Sequence, residues 1–175
     1  MEIELLNQPD SSIARVVLSA REELVAEAGC MVAMSGDIQA STTLRKGRGG
    51  GLLGGIKRAI AGESLFLSVF RAPVAGREVY IAPKLPGDLL LYGLEPGTGL
   101  VVQATSYLAS GSGVDIDLGF QGFKSVFSGE SIFWLDISGA GPVLLSAFGG
   151  IYDVMVQGEN RVKSLLVSLG REPVN

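Results

Sequence analysis

The stretch "LSAREELVAEAGCMVAMSG" (residues 18–36) decides the fold, because "LEPGTGLVVQATSYLASGS" (94–112) matches it when Leu18 is aligned with Leu94. Alone, its segment "AREELVAEA" has the Ala, Glu and Leu composition of a helix. The counterpart, "GTGLVVQATSYL", is rich in the Val, Thr and Tyr that strands favour. Since two copies of one unit should share one structure, we predict that both are strands. The identical residues are Leu18 and Leu94, Leu24 and Leu100, Val25 and Val101, Ala28 and Ala104, and Ala33 and Ala109.

A second pair of matching stretches defines the repeat boundaries. "GESLFLSVF" (62–70) matches "GESIFWLDI" (129–137), with Glu63 aligned to Glu130. These two stretches are closer together in the chain than the first pair, so the first copy carries an insertion between residues 37 and 62. We predict a first β repeat over 1–88 with a glycine-rich basic insertion at about 44–62, and a second β repeat over 89–157. A third copy is suggested at "IYDVMVQGEN" (151–160), but the sequence does not continue it, and 158–175 is interpreted as a divergent or truncated tail.

Alternating residues indicate further strands. In "VDIDLGF" (114–120), Asp115 and Asp117 lie on one side, with Val114, Ile116 and Leu118 on the other. The apolar runs on either side of "PVAG" (73–76) and of "GAG" (139–141) predict two hairpins. Many short strands separated by Gly and Pro turns predict an all-β fold of sandwich or barrel units, with few or no helices.

Composition argues against most enzyme classes. The chain has no His, which excludes Ser-His-Asp and Cys-His catalysis and nearly every zinc site. Its single cysteine, Cys30, lies in the apolar run "AEAGCMVAM" (26–34), which favours a buried side chain over a nucleophile. We therefore expect a protein that is not an enzyme and uses no cofactor. The net charge of −4 makes nucleic acid an unfavourable partner.

Targeting signals are not apparent. The opening "MEIELLNQPD" has no basic region followed by an apolar run, so we do not interpret it as a signal peptide. The longest uncharged stretch (96–114) is interrupted by Gly, Ser and Thr, whereas a membrane-spanning helix needs about 20 mainly apolar residues. We expect a cytoplasmic protein that meets membranes only peripherally, or a mitochondrial one in a eukaryote.

The stretch "LRKGRGGGLLGGIKRAIAGES" (44–64), here called the basic segment, concentrates charge. Between Asp37 and Glu63 there is no acidic residue, yet five of the 14 basic residues fall there. The candidate residues for binding an anionic surface are Arg45, Lys46, Arg48, Lys57 and Arg58. The candidate membrane-touching apolar residues are Leu52, Leu53, Ile56 and Ile60. Two interpretations stay open: contact with an anionic membrane or acidic partner, or a solvated loop whose apolar residues pack on the domain or a neighbouring subunit.

Other candidate sites are weaker. "GGGLLG" (49–54) matches the dinucleotide pattern G-x-G-x-x-G, but the run "GIKRAIAG" (55–62) that follows is too short for the helix of a βαβ unit. Asp115 and Asp117 are weak candidates for a hard cation, against the simpler interpretation of a solvated strand face. Glu63 and Glu130 occupy equivalent places, which favours a structural role at a turn over a catalytic pair.

Several motifs together resemble the altered inheritance of mitochondria protein 24 family, from about Leu5 to Gln157. The resemblance implies repeated units similar to the tryptophan RNA-binding attenuator protein (double-stranded β-helix-like), a homo-oligomer, expected to be a trimer, and a role in membrane organisation. It implies no catalytic residues. The motifs are "ELVAEAGCMVAMSGDIQASTTL", "GGGLLGGIKRAIAGESLF", "APKLPGDLL", "LVVQATSYLAS" and "KSVFSGESIFWLDISGAGPVLLSAFGGI".

These observations favour a non-enzymatic oligomeric scaffold or binding protein that contacts a membrane surface or acidic partner through the basic segment. The alternative is a small-molecule or nucleic-acid binding module with its site at a subunit boundary. Recognition of single-stranded RNA needs aromatic stacking within a cationic groove. Since the basic segment contains no aromatic residue, we do not favour RNA.

Overall fold

The computed structural model describes residues 1–44, 66–119, 134–158 and 161–169. These residues form fifteen strands and one short 3₁₀ helix, Ala104–Ser106. The strands of the N-terminal half are β1 Glu2–Leu6, β2 Ile13–Leu18, β3 Glu23–Glu27, β4 Met31–Met34, β5 Gln39–Leu44, β6 Phe66–Arg71 and β7 Arg77–Ile81. Those that follow are β8 Gly87–Leu94, β9 Gly99–Gln103, β10 Tyr107–Gly111, β11 Val114–Gly119, β12 Trp134–Gly139, β13 Gly141–Phe148, β14 Gly150–Gly158 and β15 Arg161–Leu169. The predicted all-β class is confirmed.

Antiparallel sheets stack in three layers. A four-stranded sheet (β1-β2-β7-β4) covers one face of a six-stranded sheet (β5-β6-β3-β10-β13-β8). A three-stranded sheet (β11-β12-β9) covers the opposite face, and β14 and β15 form a two-stranded sheet. Two apolar cores result, one on each side of the central sheet.

The central sheet explains why β3 looked helical in sequence. Leu24 and Ala26 belong to the core on one side of the sheet, while Val25 between them belongs to the core on the other. A strand that is buried on both faces shows no alternation of apolar and polar residues. The prediction that β3 and its counterpart β9 are strands is confirmed.

The two halves of the chain use the same strand pairing. In the first half β2 pairs with β7 and β7 with β4, and in the second half β8 pairs with β13 and β13 with β10. Likewise β5-β6-β3 has the same order as β11-β12-β9. The duplication remains an interpretation, which this shared pairing supports, and the boundaries predicted at 1–88, 89–157 and 158–175 remain predictions.

Both predicted hairpins are wrong. β6 pairs with β3 and β5, whereas β7 pairs with β2 and β4, so the turn at 73–76 carries the chain from one layer to the next. The turn at 139–141 does the same between β12 and β13. Gly and Pro mark a reversal of direction in both cases, but they do not distinguish a hairpin from a connection between facing sheets.

Candidate interaction surface

The basic segment joins two neighbouring strands at the end of a sheet edge. β5 is the outer strand of the six-stranded sheet, and its last residue, Leu44, lies opposite Phe66, the first residue of β6. The two strand ends that flank the segment therefore lie side by side, at one point of the sheet. Apart from Leu44, the segment lies outside the described residues, and its charged and apolar candidates, together with Glu63, remain predictions.

The point where the chain rejoins the sheet is apolar. The Phe66 side chain is 51% exposed, although it begins a strand whose next residue, Leu67, is fully buried. Further along the edge, Ser41 and Thr42 of β5 are exposed. An exposed aromatic side chain thus lies at the strand end where the described chain resumes after the basic segment.

The second half of the chain has an equivalent pair of strand ends. Gly119, at the end of β11, lies opposite Trp134, at the start of β12, as Leu44 lies opposite Phe66. Residues 120–133 join these strands, and the second repeat-equivalent glutamate, Glu130, falls among them, outside the described residues. The pairing of Glu63 with Glu130 therefore remains a prediction.

The alternation predicted in β11 is confirmed. Val114 and Ile116 are buried in the core, whereas Asp115 is exposed and Asp117 half-buried on the outer face. Asp117 lies opposite Asp136 of β12, which is exposed. Within the described ranges, no group of three or more His, Cys, Asp or Glu side chains is arranged to hold a metal ion. The outward position is the one expected of a solvated strand face.

Cys30 is buried, as its sequence context predicted. Its side chain is 2% exposed and its Sγ lies 3.9 Å from the carbonyl oxygen of Leu108. Burial in this apolar core raises the pKa of the thiol to about 12, and the nearby Glu27 carboxylate contributes to the rise. Since the thiolate is the nucleophile, Cys30 is suited to packing rather than to catalysis.

A buried polar cluster was missed by the sequence reasoning. The Asp88 Oδ1 atom accepts hydrogen bonds from Ser12 Oγ at 2.9 Å, Gln8 Nε2 at 3.0 Å and the backbone N–H of Leu89 at 2.8 Å. Asp88 and Ser12 are both buried. These bonds fasten the loop before β2 to the start of β8. An acidic residue inside the apolar run "PGDLLLY" (86–92) was the only signal of it in the sequence.

The outer face of the four-stranded sheet carries a cross-strand ion network. Arg15 of β2 pairs with Glu4 of β1 at 3.2 Å and with Glu78 of β7. The Tyr80 hydroxyl donates to Glu78 Oε2 at 2.9 Å. The Arg15 hydrogen bond, and then that of Tyr80, hold the pKa of the Glu78 carboxyl below its usual value. On this outer face, Arg15 is thus paired with two carboxylates, one on each neighbouring strand.

The family comparison agrees with the architecture. The model of a family described as mitochondrial biogenesis AIM24 matches residues 3–164. This chain belongs to the AIM24 family. The membership confirms the resemblance seen in the sequence. The family's description associates the family with mitochondrial biogenesis.

A solved structure shares the AIM24 chain's fold. The crystal structure of protein SPYM3_0169 from Streptococcus pyogenes, a structural genomics target, superposes with a TM-score of 0.69 at 20% identity. The match covers 90% of this chain and 69% of the streptococcal chain. A search of the curated proteins gave no match. Among the described residues, no helix has the length and apolar character needed to cross a bilayer.

Proposed function

We propose that this AIM24 chain is a self-associating, non-enzymatic scaffold that contacts an anionic membrane surface through the basic segment. The observation that carries the proposal is the concentration of five Lys/Arg residues, with no acidic residue, between strand ends that are paired at Leu44 and Phe66. Leu44 and Phe66 are paired at one sheet edge, and in this proposal the charges between them act together on an otherwise acidic protein.

Electrostatics and apolar contact act together in this proposal. Each Lys or Arg near an acidic lipid surface contributes about 1 kcal/mol, and this attraction weakens within a Debye length of roughly 10 Å at 0.1 M salt. The exposed Phe66 ring supplies an aromatic group of the kind that inserts at the membrane interface. The apolar candidates Leu52, Leu53, Ile56 and Ile60 would add buried area beside it.

The absence of catalysis is part of the proposal. The sequence has no His, and its only thiol, Cys30, is buried with a raised pKa. A trimeric assembly, a likeness to the tryptophan RNA-binding attenuator protein and a part in membrane organisation belong to the same proposal. They rest on the family resemblance. The proposed location is the cytoplasmic face of a membrane, or mitochondria in a eukaryote.

Co-flotation with liposomes tests the membrane contact. Wild type is expected to float with vesicles that contain phosphatidylserine at low salt, to dissociate at high salt, and not to float with neutral phosphatidylcholine vesicles. Neutralising Arg45, Lys46, Arg48, Lys57 and Arg58 should abolish flotation.

A matched pair of variants controls for net charge. Lys57→Gln with Arg58→Gln should weaken flotation, while Arg21→Gln with Arg71→Gln, which removes the same charge from exposed positions elsewhere, should not. If wild type does not float at low salt, the membrane proposal is wrong, and an acidic protein becomes the candidate partner.

A further inference from the structure

The two halves of the chain are joined at one strand pair, and the same kind of pairing can join two copies of the chain. β3 of the first half pairs antiparallel with β10 of the second, with Ala26 opposite Ala109 and Val25 opposite Ser110. Across this junction Val25 enters the core of the second half, and Ala109 enters the core of the first. Each half therefore completes the core of the other.

Two other strands have the same positions but lack such a partner within the described part of the chain. β9 lies in its sheet where β3 lies, and β4 lies where β10 lies, each at the end of the strand order. Val25 of β3 is 5% exposed, whereas Val101, its counterpart in β9, is 62% exposed. Leu108 of β10 is 1% exposed, whereas Val32, its counterpart in β4, is 60% exposed. The side chains that are buried at the internal junction are thus open to solvent at these two edges.

The backbones of β4 and β10 share a local irregularity. The register of β4 against β7 shifts between Met31 and Ala33, and the register of β10 against β13 shifts between Tyr107 and Ala109. Both shifts fall at the same place in the repeat, because the alignment of the two copies places Ala33 on Ala109. Since such irregularities bend and twist a strand, their shared position favours a similar edge shape in β4 and β10.

Neither edge carries the charged residues or Pro with which soluble proteins often guard exposed strands. The described sheet edge at β1 follows this rule, with Glu2 and Glu4 exposed. By contrast, β4 reads "MVAM" and β9 reads "GLVVQ", with no charged residue in either. Both edges are therefore suited to pairing with another strand.

We infer that β4 of one copy of the chain adds antiparallel to β9 of a second copy. This inference rests on the proposed self-association and identifies the two strands that form the contact between copies. The register of the internal junction places Val101 opposite Met34, and Val102 opposite Ala33, of the second copy. Val101 then enters the core against which Met34 packs, and Val32 covers the core behind β9. The contact is head-to-tail, so in a pair of copies one keeps a free β9 edge and the other keeps a free β4 edge for further copies.

Disulfide trapping tests this register. The Val101→Cys and Met34→Cys variants are prepared separately, mixed and oxidised mildly. Residues directly opposite on antiparallel strands have Cβ atoms about 4.5–5.5 Å apart, close enough for a disulfide after small adjustment. The mixture should give a disulfide-linked dimer that contains one chain of each variant, identified by peptide mass spectrometry. The native Cys30 thiol, with a pKa of about 12, should stay reduced.

A one-residue shift provides the control. Ala33→Cys mixed with Val101→Cys should link far less, because a shift of one residue places the two side chains on opposite faces of the sheet. Circular dichroism of each variant verifies the fold. If light scattering shows an oligomer but the Val101→Cys and Met34→Cys variants do not link in preference to the control, the inference is wrong and self-association stands. If wild type is monomeric, both are wrong, and the membrane contact is judged by flotation alone.

Discussion

Ala26 of β3 lies directly opposite Ala109 of β10, and this pair joins the two halves of the chain into one central sheet. Both side chains are fully buried in the core between the central and four-stranded sheets. Small residues are required here because the facing layer packs directly over the junction.

Ala109→Leu should therefore destabilise the protein by roughly 1–3 kcal/mol, the usual cost of overpacking a filled core. Urea unfolding measures this difference. Ala40→Leu, the same substitution at an exposed position of β5, should change stability by less than about 0.5 kcal/mol. Equal effects of the two substitutions would contradict the close packing of the junction.

Removing the Asp88 carboxylate should cost stability. Asp88→Ala leaves the buried hydroxyl of Ser12 without its acceptor, whereas the amide of Gln8 keeps its hydrogen bond to the carbonyl oxygen of Leu89. An unsatisfied buried group costs about 1–3 kcal/mol. Asp10→Ala, at an exposed position of the same loop region, is the control and should be nearly neutral. If unfolding free energies of the two variants agree, Asp88 does not anchor the loop.

Gly87 should not tolerate a side chain. A Cβ atom at this position would lie 1.9 Å from the backbone oxygen of Ala147, and backbone cannot move aside as a flexible side chain can. We expect Gly87→Ala to lose about 3 kcal/mol, the upper end of the overpacking range. Gly93→Ala in the same strand has nothing within 4 Å of its new Cβ and should fold as wild type does. Thermal unfolding of both variants tests this, and a wild-type midpoint for Gly87→Ala would contradict the close backbone approach.

The Arg15–Glu78 pair should make stability depend on pH. The hydrogen bonds from Arg15 and Tyr80 lower the pKa of Glu78 in the folded state below the ordinary 4.5, so they stabilise the protein above that pH. This stabilisation is lost as the pH falls through the folded-state pKa. The difference in unfolding free energy between wild type and Glu78→Gln should therefore be largest near neutrality and shrink under acid conditions.

An Arg15→Gln background supplies the control for this pH dependence. Without the guanidinium, the effect of Glu78→Gln should differ less between neutral and acid pH, with the remaining difference due to the hydrogen bond from Tyr80. An undiminished pH dependence in that background would show that Arg15 is not the cause.

The sequence predicted strands best where it contained two copies of the same unit. The first copy, "AREELVAEA", reads as a helix because β3 is buried on both faces, and only comparison with β9 corrected this. The alternation of Asp115 and Asp117 with Val114 and Ile116 was enough to predict β11 as a strand without a second copy, since β11 has one solvated face.

Features that depend on distant contacts escaped prediction. Ser12 and Asp88 lie far apart in the chain, and nothing local links them. The turns at 73–76 and 139–141 contain Gly or Pro, which are typical of any reversal of the chain. Their sequences therefore did not show that each turn connects strands of two different sheets. The basic segment was found from charge alone, and the structure adds the paired strand ends at Leu44 and Phe66.

The most direct test of the central claim is the mass of the wild-type protein measured by light scattering at micromolar concentration. Head-to-tail pairing of β4 with β9 predicts a mass of at least two 18.2 kDa chains, with three copies expected from the family resemblance. Val101→Lys, which places a charge at the β9 edge, should reduce this mass toward one chain. A wild-type mass of 18.2 kDa would contradict the account.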